Sequence, residues 1–311
     1  MDKIRAVIAS LVTVATSVAL LGAAPPAAPT AATAPEAAAG ASLAVPRATW
    51  PHGPVRTVGK LIGTYADGQM LTCSGAIVDA PNGSVIATAA HCVHNPGEPR
   101  WKNAWFVPAY DRNGVANAVR DGWRVTAAHV APEWERGSLP ESLPYDYAFL
   151  TVERKNGRTI QERFGANRLD FEPIDPAKPT TALGYPAVAP YDGETLGYCA
   201  GRPTLLTGRG VQRSSRGGLL LESCDLTQGS SGGPWFQDYD RAGQTGTVVA
   251  VISVGDDRGR VLGRPFPQGA RGLLDAAGAT TPAPAAAPAS KATPAPKAAP
   301  APAPGRAAPR G

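Results

Sequence analysis

Short apolar runs recur through the middle of this 311-residue chain, each closed off by Gly, Pro, Asn or Asp. They fall at 70–78, 84–90, 104–110, 122–130 and 145–152, then at 180–185, 195–199, 219–226 and 247–254. Runs this short, at this spacing, cannot build a helical bundle; they call for an all-β sandwich or barrel. No long stretch carries helical periodicity, and only a short helix near 271–277 is expected. The segment between the low-complexity ends, 57–278, is long for one small barrel and fits two packed antiparallel barrels.

Both ends are of a different kind. Residues 1–5 are short and basic, and 6–21 are apolar with small residues after them, the pattern of a secretory signal peptide over about 1–24. Ser10, Thr13, Thr16 and Ser17 dilute that run below what a spanning helix needs. Residues 25–56 are rich in alanine and proline and read as a pro-segment or linker. The tail at 279–311 is almost entirely alanine and proline with scattered basic residues, too poor in apolar surface to offset its ordering entropy. It reads as a disordered passive spacer, with a weak contact to an anionic cell wall as the alternative. The formal charge of +5 comes from Lys291, Lys297, Arg306 and Arg310 in the tail and a net single charge in residues 1–5. The remainder is balanced, so no nucleic-acid surface is implied, and no membrane contact is expected after signal removal. The expected location is extracellular.

Three segments carry chemistry. Gly229-Ser230-Ser231-Gly232-Gly233-Pro234 presents a serine in a turn whose glycines free backbone N–H groups for a reacting carbonyl. A serine hydroxyl needs a base to take its proton as it attacks. His91, in Thr88-Ala89-Ala90-His91-Cys92, supplies one. Asp146, in Asp146-Tyr147-Ala148-Phe149-Leu150, supplies a carboxylate on an apolar strand that would fix the imidazole tautomer. Gly229 to Gly233 also satisfies the G-x-S-x-G elbow of esterases, but that fold needs a histidine after the nucleophile. All four histidines, His52, His91, His94 and His129, precede Ser231. A metal reading of His91-Cys92-Val93-His94 lacks the second ligand cluster a structural zinc site requires. His94 and His129 read as ordinary polar residues, and neither metal nor cofactor is expected.

In chain order and content these three blocks resemble the signature blocks of the trypsin-like serine peptidases, with likeness to secreted bacterial members including the glutamyl-endopeptidase-like branch. The likeness spans roughly 58–274. It implies two six-stranded barrels with the active site between them, His91 and Asp146 from the first and Ser231 from the second. It also implies amide hydrolysis of protein or peptide substrates through an acyl-enzyme, with the amides of Gly229 and Ser231 as the oxyanion hole. The rival from another class is a secreted binding protein that kept the fold without turnover; the intact set His91, Asp146 and Ser231 counts against it.

Four cysteines allow three pairings and suit an oxidising destination. Cys73–Cys92 and Cys199–Cys224 are expected because each links neighbouring strands within one half, the first as in the resembled family. Two departures from the trypsin pattern stand out. Ser230 occupies the position of the aspartate that pairs with a newly freed N-terminus, so activation of that style is not expected. Asp225 lies six residues before Ser231, the spacing of the aspartate at the base of the trypsin pocket, and Gln228 also matches. However, Thr227 replaces the intervening cysteine. Ser253, Val254 and Gly255 resemble the strand that pairs with substrate and lines the pocket. Ile252 stands where glutamate-specific relatives carry histidine, which disfavours cleavage after glutamate. A basic and a small or apolar P1 residue both remain open.

Overall fold

The computed structural model describes residues 48–285, except 115, 116, 118, 119 and 172. The expected signal peptide, most of the linker and the greater part of the tail lie outside the described residues.

The first half is a closed barrel. Its strands are β2 (Val58–Thr64), β3 (Met70–Val78), β4 (Val85–Thr88), β5 (Asn103–Pro108), β6 (Trp123–Val130) and β7 (Ala148–Val152). They close in the order β2-β3-β4-β7-β6-β5, every pair antiparallel. β4 and β7 are buried at every position. Their near-continuous apolar sequences follow from packing on both faces, the barrel interior on one side and neighbouring elements on the other.

The second half is a curled sheet of nine strands rather than a second closed ring. It comprises β1 (Ala48–Thr49), β8 (Arg168–Leu169), β9 (Thr180–Gly184), β10 (Gly197–Gly201), β11 (Thr204–Leu205), β12 (Leu219–Leu221), β13 (Pro234–Asp240), β14 (Thr245–Gly255) and β15 (Val261–Pro265). The order is β1-β10-β9-β13-β14-β15-β12-β11, with β8 pairing β14 in parallel, the one parallel pairing between these named strands. The all-β expectation therefore holds, with a six-strand barrel in the first half and a larger, hydrogen-bond-open sheet in the second.

Helices are few among the described residues. They include α1 (Pro132–Arg136), α2 (Ile160–Phe164) and α3 (Arg271–Ala279). α2 begins with a reciprocal capping box, Thr159 accepting from the Glu162 N–H while the Glu162 side chain accepts from the Thr159 N–H. α3, where a short helix was expected, ties back to the first barrel. Thr151 on β7 donates to the Ala277 carbonyl at 3.1 Å, and the Asn82 amide donates to Ala277 and Thr280.

Residues at both edges of the expected linkers belong to the folded body. β1 pairs with β10, the Trp50 N–H donates to the Leu196 carbonyl at 2.7 Å, and the Trp50 ring is buried. At the other end Pro284 bridges Arg154.

The halves meet through an aromatic seam. Phe266, which follows β15, stacks on Phe149 of β7 at 5.6 Å and packs edge-on against Tyr147 and Phe171. Both expected disulfides, Cys73–Cys92 and Cys199–Cys224, are formed. The first joins β3 to the turn that carries His91. The second lies within the apolar core of the second sheet with Leu219, Leu226 and Trp235.

Candidate active site

The Thr88–Cys92 segment leaves β4 and tightens into a 3-10 turn at Ala90–Cys92, which places His91 at the edge of the first barrel with its side chain 22% exposed. Another 3-10 turn, Leu143–Tyr145, delivers Asp146 just before β7, with no exposure at all.

A carboxylate removed from water in this way must find hydrogen bonds or it will not ionise. Asp146 accepts from the His91 backbone N–H at 2.9 Å, from the His91 ring Nδ1 at 2.8 Å and from the Ser253 hydroxyl at 2.6 Å. Burial alone would raise the Asp146 pKa, but the facing imidazolium and these three donors outweigh it and hold the carboxyl below its ordinary value. Burial likewise opposes charge on His91, yet Asp146 prevails and holds the imidazole above its ordinary value. With Nδ1 committed to Asp146, Nε2 is the nitrogen left to exchange a proton.

Ser253 lies on β14, in the second half, so the hydroxyl that completes the carboxylate's shell crosses between the halves. The resemblance implied a place for Ser253 on a substrate-pairing strand; in the structure its side chain bonds Asp146.

Ser231 sits in the turn before β13. That turn is stitched to the first barrel through Ser74 on β3. The Ser74 N–H donates to the Ser231 carbonyl at 2.7 Å, and the Ser74 hydroxyl donates to the Gly229 carbonyl at 2.9 Å while accepting from the Tyr185 N–H. The Cys92 sulfur, adjacent to His91, lies 3.6 Å from the Ser231 carbonyl oxygen. The structure thus gathers His91, Asp146, Ser231 and Ser253 at the junction of the two halves.

Two glycines are dictated by close approach. Gly232 has φ +77°, and a Cβ there would collide with the Thr88 hydroxyl and stand 2.5 Å from the Ser74 carbonyl. Gly229 has φ +97°, and a Cβ there would lie 2.5 Å from the Tyr185 carbonyl. Among the described residues, the N–H groups of Gly229 and Ser231 donate to no backbone carbonyl, whereas those of Ser230, Gly232 and Gly233 do.

Of the remaining candidates, Asp225 is half-buried and Gln228 exposed. Gly255 runs beside this segment, the position of a Cβ on it lying 3.7 Å from the Leu226 carbonyl and 3.5 Å from the Val261 side chain. Val254 is half-buried on the same strand. Cys73, His91 and Cys92 form a cluster of metal-type donors, but both sulfurs are spent on the disulfide and the imidazole on Asp146. His94 is buried and bonds Glu135 at 3.1 Å, a structural role; His129 lies on β6.

The match to known proteins fits this geometry. Residues 73–251 match the model of the trypsin-like peptidase domain. The chain belongs to the trypsin-like peptidase family. Within that family it is a serine endopeptidase. A solved structure of the thermostable serine protease AL20 from an extremophilic microorganism is 31% identical, covering 73% of this chain and 98% of that one, with a TM-score of 0.62. The protease Anisep from Arthrobacter nicotinovorans is 28% identical over 73% of this chain and 97% of its own, also with a TM-score of 0.62. A Glu endopeptidase shares the fold at 16% identity and a TM-score of 0.56, over 76% of this chain and 97% of its own. No curated protein sequence matches the chain.

The steric confinement of Gly232 gives a direct test. A Gly232→Ala substitution combines a left-handed backbone penalty with overpacking against Thr88 and Ser74, and is expected to cost about 2–5 kcal/mol. Urea denaturation of the purified variant measures it; a loss below about 0.5 kcal/mol, the range of ordinary surface changes, would contradict the confinement.

Proposed function

We propose that this peptidase is secreted and hydrolyses peptide bonds through an acyl-enzyme on Ser231. The observation that carries the proposal is the buried Asp146 carboxylate fixing the His91 ring through Nδ1. In the first step the Ser231 Oγ bonds to the carbonyl carbon while Nε2 of His91 accepts the hydroxyl proton. The carbonyl oxygen takes up negative charge, and the unspent amides of Gly229 and Ser231 donate to it. Such donors are worth about 2.7–4 kcal/mol each in a preorganised site. The C–N bond then breaks and His91 gives its proton to the leaving amine. Water repeats the sequence, losing a proton to His91 as it attacks the ester, and the Ser231 oxygen leaves with that proton.

Asp146 stabilises the imidazolium in each half of the cycle without taking the proton itself. Its depressed affinity for protons is what that role requires. Secretion is supported by the two disulfides, which persist in oxidising compartments. Among the described residues no helix is long and apolar enough to cross a membrane.

For the P1 side chain, the strand at Ser253, Val254 and Gly255 and the segment from Asp225 to Gln228 supply two walls of a pocket. Asp225 is the group that would attract a basic side chain; without its participation the pocket suits a small or apolar one.

A fluorophosphonate probe mapped by mass spectrometry tests the nucleophile. Labelling at Ser231 that disappears in Ser231→Ala is the expected outcome; a folded, disulfide-bonded protein that does not label would sink the proposal. The pH profile tests the base. His91 must be neutral to accept a proton, and Asp146 raises its affinity, so the acid limb of kcat/KM should lie above the usual imidazole value of about 6.5. Asp146→Asn removes that attraction, so the limb should move to lower pH while the plateau falls on the order of 10⁴-fold. An unmoved limb would show that Asp146 does not tune the base. For specificity, Asp225→Ser should lower kcat/KM selectively on Arg and Lys substrates, on the order of 10²-fold for a lost buried charge pair. An equal loss on all substrates would assign Asp225 a structural role.

A further inference from the structure

The oxyanion turn has no charged anchor of its own. Ser230, where trypsins carry the aspartate that is paired on activation, is fully buried and its hydroxyl has no hydrogen-bond partner among the described residues. A turn built on glycines, with two amides free to meet a substrate oxygen, needs something to hold it.

A buried ammonium group stands one loop away. Lys60 is on β2, the middle of a first-barrel strand, yet it is only 2% exposed. Its Nζ donates to the Gly193 carbonyl at 2.8 Å, lies 3.4 Å from a Glu194 carboxylate oxygen and sits 4.6 Å above the Tyr110 ring. Glu194 is in turn fixed by the Tyr110 hydroxyl at 2.8 Å and the Gly114 N–H at 3.2 Å. A buried lysine leaves water only for partners of this kind.

From Gly193 the connection to the oxyanion turn is short. The Gly193 N–H donates to the Pro186 carbonyl at 2.8 Å, and the Ala187 N–H donates to the Gln228 carbonyl at 2.7 Å. The Thr227 hydroxyl meets both the N–H and the carbonyl of Val188. Tyr185 and Ala187 fill the space against Gly229 that a side chain would otherwise occupy. The base of the loop is pinned by the Tyr185 hydroxyl, which donates to the Tyr110 carbonyl at 2.9 Å. The 185–194 loop is therefore a plate, clamped at its far end by Lys60 and applied at its near end to residues 227–229.

We propose that Lys60, with Glu194 and Tyr110, is a positioning device that orders the oxyanion turn through the 185–194 loop, supplying from inside the first barrel the ionic anchor that Ser230 lacks. Lys60 touches no reacting atom. The catalytic part of the inference rests on the acyl-enzyme reading; the ordering of the turn does not.

Amide hydrogen exchange of the folded, disulfide-bonded protein tests the ordering independently of turnover. In Lys60→Met, exchange in peptides spanning 227–233 should accelerate at least about 10-fold, while β4, β7 and β14 keep wild-type protection, the signature of local rather than global opening. Glu194→Ala, at a half-exposed position, should move the same peptides in the same direction and decides the question if Lys60→Met does not fold. Unchanged exchange at 227–233 in the folded variants overturns the proposal. So does uniform acceleration across the barrels, which would mark Lys60 as a general stability residue. In kinetics, misaligned oxyanion donors should lower kcat on an amide substrate about 10- to 100-fold with KM within about two-fold, and Lys60→Arg should recover part of the loss. A wild-type protein that fails to label at Ser231 would refute the peptidase mechanism, while the exchange data would still decide the clamp.

Discussion

Asp146 is a charge with no exposure to water, and the functional half of this molecule is arranged around making that tolerable. Its three donors come from the His91 backbone, the His91 ring and Ser253. The first two require the 3-10 turn after β4; the third requires β14 of the other sheet to be docked. Removing any of these would leave a buried carboxylate short of a partner, which costs more than the hydrogen bond itself is worth. The same arrangement that stabilises the carboxylate orients the His91 ring, so folding and assembly of this cluster are one event. The pair also sets how stability responds to pH. Asp146, with its pKa depressed, contributes stability that is lost as pH falls through its folded value. His91, with its pKa raised, contributes stability that is lost as pH rises through its own.

The turn that carries Ser231 obeys a second constraint, that of space. Between Thr88, Ser74 and Tyr185 there is room for backbone and for nothing more at Gly229 and Gly232. Close approach lets Ser74 hold the turn by its N–H and its hydroxyl together, so one residue of the first barrel fixes the carbonyls of both Gly229 and Ser231. With those carbonyls committed to the scaffold, the amides of Gly229 and Ser231 are left with no backbone acceptor among the described residues.

The local chemistry was legible in the sequence because it is written in contiguous residues. The His91 block, the strand after Asp146 and the glycines around Ser231 are read from short windows, while the two disulfide pairings followed from which strands lie in each half and from the family resemblance. Strands whose pattern is almost wholly apolar, such as β4 and β7, were equally plain. β2, β13 and β15 were not, and each fails for a physical reason. β2 carries Lys60 in its centre, β13 starts at a proline and turns polar at its end, and β15 holds Arg264 beside a glycine and a proline. Lys60 and Arg264 are nevertheless 2% and 1% exposed, since carbonyls of distant loops accept from them. A pattern reading takes a charged residue as a sign of solvent; it has no access to a partner 133 residues away, as for Lys60, or 48 residues away, as for Arg264. For the same reason Ser74 gave no signal, and Ser253 was read as a substrate-pairing and pocket-lining residue rather than as a partner of Asp146. The open second sheet also escaped, because two-residue strands such as β1, β8 and β11 exist only by virtue of their neighbours.

The replacement of an aspartate by Ser230 changes how such an enzyme can be controlled. Where a buried carboxylate waits beneath the oxyanion turn, it demands a cation, and a newly cut chain end can supply it. Here the residue beneath the turn is neutral and creates no such demand. The chain at Ala48–Thr49 is paired with the edge of β10, and Trp50 is packed among Tyr198, Tyr239 and His52. Those residues are held by the second sheet's own edge, and among the described residues the buried lysine is Lys60. An anchor that is part of a barrel strand forms when the barrel forms and cannot be withheld until a cut is made. On the clamp proposed above, order in the turn that carries Ser231 follows from folding of the first barrel rather than from a later cut.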